Sequence, residues 1–176
     1  MTPRLAVRQA TLDDVTIVVE LRLALLREYD EHPLYGALRA DAEERAYELY
    51  AMQLTSTREA IYLAERDGRG VGIMRVVDTP SSPLLHPERY CYISSVYVRP
   101  EERRRGVLHA MMAEAERWCT ARGLSEMRLH NASSSMMAQG AWSALGFEVV
   151  EQVRRRPVAA KRGPGTTQAR TVAEAR

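Results

Sequence analysis

The junction between one strand and one helix, within residues 89–122, constrains the fold of this chain most strongly. The segment "RYCYISSVYV" is rich in Tyr, Ile and Val and predicts a β-strand that ends at Val98. The next segment, "RPEERRRG", ends at Gly106, after which apolar residues recur at helical spacing from Val107 to about Thr120. Strand, turn and helix in direct succession predict an α/β unit, in which helices cover a sheet.

The rest of the sequence continues this mixture of short strands and helices. Further strands are predicted at residues 4–9, 59–66, 70–78, 125–131 and 147–156, and further helices at residues 13–30, 39–55 and 135–145. Thr11 and Asp14 form a capping-box-like start for the first helix, and Asp67-Gly68 predicts a tight turn between two strands. The order β-α-α-β-β-β-α-β-α-β predicts an α/β (α+β) fold, with a mixed, mostly antiparallel central sheet and helices on both faces.

Length and composition indicate one soluble globular domain. The chain has 176 residues, of which 45% are hydrophobic and 27% are charged. No apolar run reaches the roughly 18 residues that a membrane span needs, and the first residues lack the apolar core of a secretion signal. We therefore expect a cytoplasmic protein that has no membrane partner.

The two cysteines suggest neither a metal site nor a redox site. Cys91 and Cys119 match no metal-binding or redox spacing, and no other Cys or His residue forms a ligand cluster with them. We predict two buried thiols that pack as small apolar side chains, without a structural disulfide and without a bound metal.

Positive charge is concentrated at the C-terminal end of the sequence. Residues 154–176 carry seven Lys or Arg residues and one acidic residue, Glu174. We predict a domain at residues 1–156, followed by a basic, disordered tail at residues 157–176. A basic tail can contact nucleic acid. However, the rest of the chain lacks the alternation of aromatic and basic residues that single-strand binders use, so nucleic acid is not expected as a partner.

The turn before the helix at Val107 has the chemistry of a phosphate-binding loop. The first backbone N–H groups of a helix have no acceptor within the helix, and they lie at the positive end of the helix dipole. A glycine such as Gly106 allows a ligand to approach the backbone closely. Arg103, Arg104 and Arg105 add donors that suit phosphate oxygens. The segment therefore predicts an anion site.

Two motifs give the chain a family resemblance. The stretch "VYVRPEERRRGVLHAMMAEAERW" resembles the acetyl-CoA signature of the GCN5-related N-acetyltransferases, the GNAT superfamily, whose pattern Q/R-x-x-G-x-G/A falls on residues 103–108. Leu108 stands where that family usually has Gly or Ala. Further along, "AWSALGFEVVE" resembles the C-terminal "LYEKLGF" motif of the family. The resemblance covers residues 4–156 and implies a sheet whose central strands splay apart to bind CoA.

The resemblance implies a set of residues that bind acetyl-CoA as cosubstrate. The backbone amides of Arg104 to His109 would hold the pyrophosphate, and the main chain at the splayed end of the central strand would hold the pantetheine arm. The residues assigned to the cosubstrate are Val96, Tyr97, Val98, Arg103, Arg104, Arg105, Gly106, Val107, Leu108, His109, Asn131 and Ser135. Ser135 stands at the position of a common family Asn, which Asn131 could replace; alternatively, Asn131 only caps the following helix.

The resemblance also gives the positions of proton transfer, where this chain carries other residues. Members often have a carboxylate base on the central strand, at positions that are Tyr92 and Ser94 here. The frequent general acid is a tyrosine at the position of Trp142, whose indole donates a hydrogen bond but does not supply a proton. A water could connect Tyr92 or Ser94 to an acid elsewhere in the chain. The acids considered for this role are Glu65, Glu28, Asp30 and Glu31.

Together these features predict an acetyl-CoA-dependent N-acetyltransferase that moves an acetyl group directly to a primary amine. Because the usual base and acid are replaced, the alternative is a CoA-binding protein of the same fold with little or no catalysis, regulatory or ligand-sensing. Acidic residues within residues 28–44 favour a cationic acceptor, small molecule or peptide, such as a polyamine, aminoglycoside, amino acid or protein amine. Dimers are common in the family, so the resemblance also allows a homodimer.

Overall fold

A computed structural model describes residues 4–158 of the chain. The strands are β1 (Leu5–Gln9), β2 (Glu59–Arg66), β3 (Arg69–Pro80), β4 (Arg89–Val98) and β5 (Met127–Leu129), and the helices are α1 (Val15–Arg27), α2 (Ala42–Leu54), α3 (Val107–Arg122) and α4 (Met136–Ala144). Short 3-10 turns at Leu12–Asp14 and Pro100–Glu102 precede α1 and α3. The chain divides into two compact units, Met1–Met136 and Met137–Arg176, and the first unit contains the whole sheet.

The strands form one open sheet in the order β1-β2-β3-β4-β5. The pairs β1–β2, β2–β3 and β3–β4 are antiparallel, whereas β5 pairs with β4 in parallel. The sheet is therefore mixed and mostly antiparallel, which confirms the predicted fold class. Asp67 and Gly68 have φ angles of 52° and 78° and form the predicted tight turn between β2 and β3.

Helices lie on both faces of the sheet. On one face, α1 and α2 pack against buried side chains of β2, β3 and β4. The central residues of this core are Val18, Leu21, Tyr50, Ile61, Leu63, Ile73 and Tyr97. On the other face, a Cβ atom added to Gly72 would lie 3.2 Å from Val107 and 3.4 Å from Met111 of α3. Since Gly72 and Ile73 are consecutive residues of β3, they point in opposite directions, and α3 covers the second face.

The two cysteines meet between β4 and α3. Cys91 and Cys119 are both buried and are both free thiols, as predicted. The hydrogen bond with the Cys119 thiol raises the pKa of Cys91, and burial raises it further. Cys91 therefore stays protonated, and both side chains pack in the interior.

The last predicted strand, at residues 147–156, does not form. Residues 147–158 follow α4 without helix or strand, and Val149 and Val150 are 81% and 88% exposed. A strand requires a neighbouring strand that pairs with its N–H and C=O groups, and apolar residues alone do not supply that partner. The strand prediction was wrong for this reason.

Several predictions concern residues outside the described part of the chain. The basic tail predicted at residues 157–176 lies almost entirely beyond residue 158, so its disorder and the domain boundary at residue 156 stay predictions. Within residues 4–158, no helix has both the length and the apolar character that crossing a bilayer requires. The same residues contain no group of three Cys, His, Asp or Glu side chains placed to hold a metal ion.

Candidate active site

The central strand β4 carries a bulge at Ser95. Arg75 of β3 pairs with Ser94, whereas Ile73 pairs with Tyr97, so β4 contains one extra residue between the two pairs. Ser95 has a φ angle of 52°, which is uncommon for a residue with a side chain. Because of the extra residue, the bulge changes which residues of β4 direct their N–H and C=O groups towards β3.

Beyond the bulge, no described strand pairs with β4 on its β5 side, because β5 pairs only with residues 91–93. The Arg99 N–H donates to the Val71 carbonyl of β3. By strand alternation, the main-chain groups of Val96 and Val98 then face away from β3. They line a gap beside β4, which is the splay that the family resemblance implied.

The turn from β4 to α3 presents a row of unpaired backbone amides. Gly106 precedes α3 with a φ angle of 81°, and Arg104 also has a positive φ angle, 60°. Within residues 4–158, the structure gives no hydrogen-bond acceptor to the N–H groups of residues 104–109. These consecutive donors lie at the positive end of a helix of 16 residues. The geometry of the turn suits an anion, and binding of an anion there stays a prediction.

Arg103 anchors the start of this turn to β4 and α1. Its Nε donates to the Val98 carbonyl oxygen at 3.0 Å, and its Nη2 lies 2.6 Å from Glu28, directly after α1. Its guanidinium also lies over the ring of Tyr97, 5.8 Å from the ring centroid. Tyr97 is buried in the core, and by alternation its N–H faces β3. The Val98 N–H and both main-chain groups of Val96 remain for a ligand.

Glu102 is a buried acid that holds the rest of the turn. It is 7% exposed and pairs with Arg66 of β2 at 2.7 Å and with Arg105 at 3.0 Å. Two arginines around one carboxylate leave a net positive charge, which favours an anionic ligand. Arg104, by contrast, is exposed and has no ion-pair partner among the described residues. Arg103 and Arg105 therefore support the loop, whereas the Arg104 side chain can reach a ligand.

The other residues predicted in this turn contribute mainly through their backbone. Val107 is buried beneath β3, Leu108 is half-buried and His109 is exposed. Leu108 departs from the family pattern. Because a leucine side chain forms no hydrogen bonds, it does not occupy the backbone amides of the turn.

Ser94 belongs to a chain of polar side chains on the sheet face covered by α1 and α2. Arg75 Nη1 donates to Ser94 Oγ at 3.1 Å, and Arg75 Nε donates to Glu59 Oε2 at 2.5 Å. The side chains of Arg75 and Glu59 are 20% and 12% exposed. A guanidinium can only donate, so the Ser94 oxygen accepts this bond and keeps its own hydrogen for another acceptor.

Ser95, the bulged residue, contacts α2. Its Oγ lies 3.3 Å from the hydroxyl of Tyr50, which is 3% exposed. The contact fixes the side chain of a residue whose backbone conformation is strained. Helix α2 therefore helps to hold the bulge in place.

Tyr92, two residues before Ser94 on β4, contacts His130. Its hydroxyl lies 2.9 Å from Nδ1 of His130, the residue after β5, and the two rings meet edge to face. Burial raises the pKa of Tyr92, and Tyr35 and Tyr90 raise it further, so its phenol is protonated at neutral pH. No sequence motif marks His130, and only its place after the short strand β5 could have drawn attention to it.

Glu65 lies far from Ser94 in the register of the sheet. Ser94 is level with Ile61 of β2, four residues before Glu65. Four residues of strand span about 13 Å, and two strand spacings of about 4.8 Å add to this separation. Glu65 pairs instead with Arg8 at 3.0 Å. The structure therefore does not bring Glu65 to the predicted base positions, and a catalytic role for it stays a prediction.

The other acids considered for proton transfer lie after α1. Glu28 pairs with Arg103, which it helps to hold against β4. Asp30 accepts a hydrogen bond from the Glu31 N–H at 2.8 Å, and both of these acids are exposed. A role for any of the three as a base stays a prediction.

The last predicted site residues follow β5. Asn131 donates from its side chain to the Ala132 carbonyl at 3.3 Å and lies five residues before α4, so its interpretation as a cap of that helix was wrong. The Ser135 N–H donates to the same carbonyl at 3.1 Å. Trp142, in the second compact unit, meets Phe147 with ring centroids 5.3 Å apart. Contacts of these residues with acetyl-CoA stay predictions.

A splayed sheet beside a row of unpaired amides at a helix N-terminus fits an acyltransferase. The model of the Acetyltransferase (GNAT) family matches residues 23–147, from within α1 to the "ALGF" motif. This match covers more than half of the chain, and the chain belongs to the GNAT family. The resemblance inferred from the two sequence motifs is thereby confirmed.

Individual relatives agree with this assignment. The aminoglycoside N(6')-acetyltransferase type 1 of Salmonella typhimurium is 30% identical over 101 residues, which cover 53% of this chain and 66% of that protein, about two thirds of its length. The protein of the same name from Stenotrophomonas maltophilia is 28% identical over 155 residues, or 84% of this chain and 88% of that protein. The crystal structure of a predicted acetyltransferase with acetyl-CoA from Clostridium acetobutylicum has a TM-score of 0.71 at 16% identity, over 88% of this chain and 96% of that one. At this identity the crystal structure supports the fold alone.

Proposed function

We propose that the protein is an acetyl-CoA-dependent N-acetyltransferase that moves an acetyl group directly to a primary amine of a small cationic acceptor. The observation that carries this proposal is the row of unpaired amides at residues 104–109 beside the unpaired edge of β4. A diphosphate suits the first feature, and an extended arm with amide groups suits the second. CoA combines the two groups in one molecule, and membership of the GNAT family supports the same ligand.

In this proposal, the pyrophosphate of CoA binds the amides of the turn and the pantetheine arm binds β4. A Cβ atom added to Gly106 would have no neighbour within 4 Å, so the space in front of this residue is open to a ligand. The pantetheine amides pair with the main chain of Val96 and Val98, in the manner of an added strand. The thioester then lies towards the bulge at Ser95.

The chemistry requires a neutral amine and stabilisation of the negative charge that develops on the thioester oxygen. The amine nitrogen bonds to the carbonyl carbon, the bond to sulfur breaks, and the amine loses a proton. Ser94 supports this reaction as a donor, because Arg75 occupies its oxygen and leaves its hydrogen available. The charge of Arg75 strengthens hydrogen bonding to an anionic oxygen.

The acceptor that fits best is a polycationic amine such as an aminoglycoside, which is the substrate class named for the two relatives. Four carboxylates of residues 28–44 support this assignment. The acids of this segment without an arginine partner among the described residues are Asp30, Glu31, Glu43 and Glu44. Glu28 and Asp41, in contrast, are already paired with arginines. Unpaired carboxylates around an acceptor site attract a cation.

A second candidate is a CoA-binding protein of the same fold with little or no catalysis, regulatory or ligand-sensing. The observation that favours it is the chemistry of three residues. Tyr92 and Ser94 stand where the family resemblance implies a carboxylate, and Trp142 stands where it implies a tyrosine. It shares the cosubstrate site of the first candidate and differs only in turnover.

Release of the CoA thiol from acetyl-CoA separates the two candidates. The amine panel should contain an aminoglycoside with a 6'-amine and its matched analogue with a 6'-hydroxyl, together with a polyamine, free lysine and a lysine peptide. We expect sustained thiol release with the 6'-amino compound and background release with the 6'-hydroxyl analogue. Binding of acetyl-CoA without thiol release for any amine would contradict the enzyme and leave the second candidate.

A further inference from the structure

Tyr92 and His130 lie where the pairing between β4 and β5 ends. The last pair between these strands joins Ile93 to Leu129, and His130 is the next residue of the chain. Tyr92 points towards the same face as Ser94, because the two residues are separated by one position along β4 before the bulge. The pair therefore lies at the inner end of the gap that the proposed function assigns to the pantetheine arm.

A proton acceptor is needed here, and the carboxylates on β2 are poor ones. Glu59 is bound by Arg75 at 2.5 Å, and Glu65 is bound by Arg8 at 3.0 Å. Each of these carboxylates is already bound by an arginine, so its use as a base would cost an ion pair. Neutral imidazole carries no such cost, and it is the side chain that ordinarily changes charge between about pH 5 and 8.

We propose that Tyr92 and His130 form a proton relay from the attacking amine to solvent, an inference that rests on the proposed acetyl transfer. As the amine nitrogen bonds to the thioester carbon, its proton passes to the Tyr92 oxygen while the Tyr92 proton passes to Nδ1 of His130, 2.9 Å away. The carbon–sulfur bond breaks, and the CoA thiolate takes up a proton from water. His130 is exposed, so its imidazolium returns the transferred proton to solvent.

The surroundings of Tyr92 suit a group that accepts one proton as it donates another, and not a group that keeps an extra proton. Burial, Tyr35 and Tyr90 raise its pKa, and Arg75 lowers it by a smaller amount. Tyr92 alone is therefore a weak base whose phenol is already protonated, and it can accept a proton only as it gives one away. His130 is the partner in contact that can receive that proton.

The charged residues of β5 do not compete for His130. Arg128, which is level with Tyr92 in the register, pairs with Glu126 at 2.5 Å and lies over the Tyr90 ring, 4.0 Å from its centroid. Among the described residues, no acid forms an ion pair with His130.

Two substitutions separate a relay from a hydrogen bond that only stabilises the end of β5. His130→Ala removes the imidazole, whereas His130→Asn keeps a side-chain oxygen that can accept the Tyr92 hydrogen bond but takes up no proton. For a relay we expect kcat to fall by about 10²-fold in both variants, while the dissociation constant of acetyl-CoA stays within about twofold of the wild-type value. A structural hydrogen bond predicts that His130→Asn keeps its activity.

Chemical rescue gives a readout that a structural role would not change. Added imidazole should restore part of the activity of His130→Ala, because this position is open to solvent. It should not restore Tyr92→Phe, which lacks the connecting phenol, or Ser94→Ala, which lacks a different group. The pH profile of the wild-type rate should also differ from that of His130→Ala, because in a relay the rate depends on the imidazole.

The outcomes distinguish the relay from the proposed function. An active wild-type protein together with a His130→Asn variant of unchanged rate and pH profile would overturn the relay and leave the acetyltransferase in place. Absence of thiol release by the wild-type protein with every amine would overturn the proposed function and the relay with it. Loss of kcat in both His130 variants, with imidazole rescue of His130→Ala, is the result expected for the relay.

Discussion

At the scale of single residues, the direction of one hydrogen bond decides what Ser94 can do. Arg75 has no acceptor atoms, so Ser94 must accept from it and can donate elsewhere. Glu59 holds the other side of the same guanidinium and fixes its position. In the proposed acetyl transfer, Ser94 therefore acts as a donor to an anionic oxygen, whereas the family resemblance led us to expect a base at this position.

Substitution of Ser94 tests this role. Ser94→Ala should lower kcat/KM by about 10²-fold, the usual cost of removing one donor to a developing oxyanion, without changing the dissociation constant of acetyl-CoA. Steady-state thiol release and calorimetry measure the two quantities. Ser125→Ala, at an exposed serine before β5, is the matched control and should behave as the wild type. Wild-type kinetics in Ser94→Ala would remove Ser94 from the reaction.

At the scale of elements, the connection between β1 and α1 shows how polar side chains fix a helix that covers the site. Asp14 accepts hydrogen bonds from Arg8 at 2.7 Å and from the Thr11 N–H at 2.8 Å, which is the predicted capping arrangement. The hydrogen bond from Arg8 is the main cause of the lowered pKa of Asp14, about 2. The ordinary value is about 3.9, so the folded state favours the charged form of this residue.

The stability that Asp14 contributes should therefore depend on pH. Its folded pKa lies below its unfolded pKa, so the contribution is complete above about pH 4 and is lost as pH falls from about 4 to about 2. Asp14→Asn should lower the free energy of unfolding at pH 7 by roughly 1–2 kcal/mol, and the difference from the wild type should shrink across that range. Urea unfolding at a series of pH values measures it. A difference that stays constant down to about pH 2 would contradict the assignment.

Local sequence patterns predicted most of the helices and strands, because the formation of each element depends on residues close to it in the chain. The strands at residues 59–66 and 89–98 have the predicted bounds. Gly106 ends the turn before α3, and Gly123 ends α3. The contacts that organise the site could not be predicted in this way. Tyr92 and His130 are 38 positions apart, and only the parallel pairing of β4 with β5 brings them together.

At the scale of the whole molecule, the unit Met1–Met136 carries two regions of opposite charge. The turn before α3 has unpaired amides and arginines in excess around Glu102, which suit the diphosphate of CoA. Residues 28–44 carry carboxylates that have no arginine partner among residues 4–158, and such carboxylates suit a cationic amine. The gap beside β4 and the polar residues Tyr92 and Ser94 belong to the same unit. Different regions of one compact unit thus fit the two substrates of an acetyl transfer.

The central claim is that the amides of residues 104–109 hold the pyrophosphate of acetyl-CoA, and calorimetric titration with acetyl-CoA tests it most directly. The comparison is between the wild type, Gly106→Trp and the matched control Gly123→Trp, since both glycines have positive φ angles, 81° and 65°, and open space at Cβ. We predict that Gly106→Trp weakens binding by about tenfold or more, at least about 1.4 kcal/mol, whereas Gly123→Trp binds as the wild type does. An unchanged dissociation constant in folded Gly106→Trp, or no binding by the wild type, would contradict the claim.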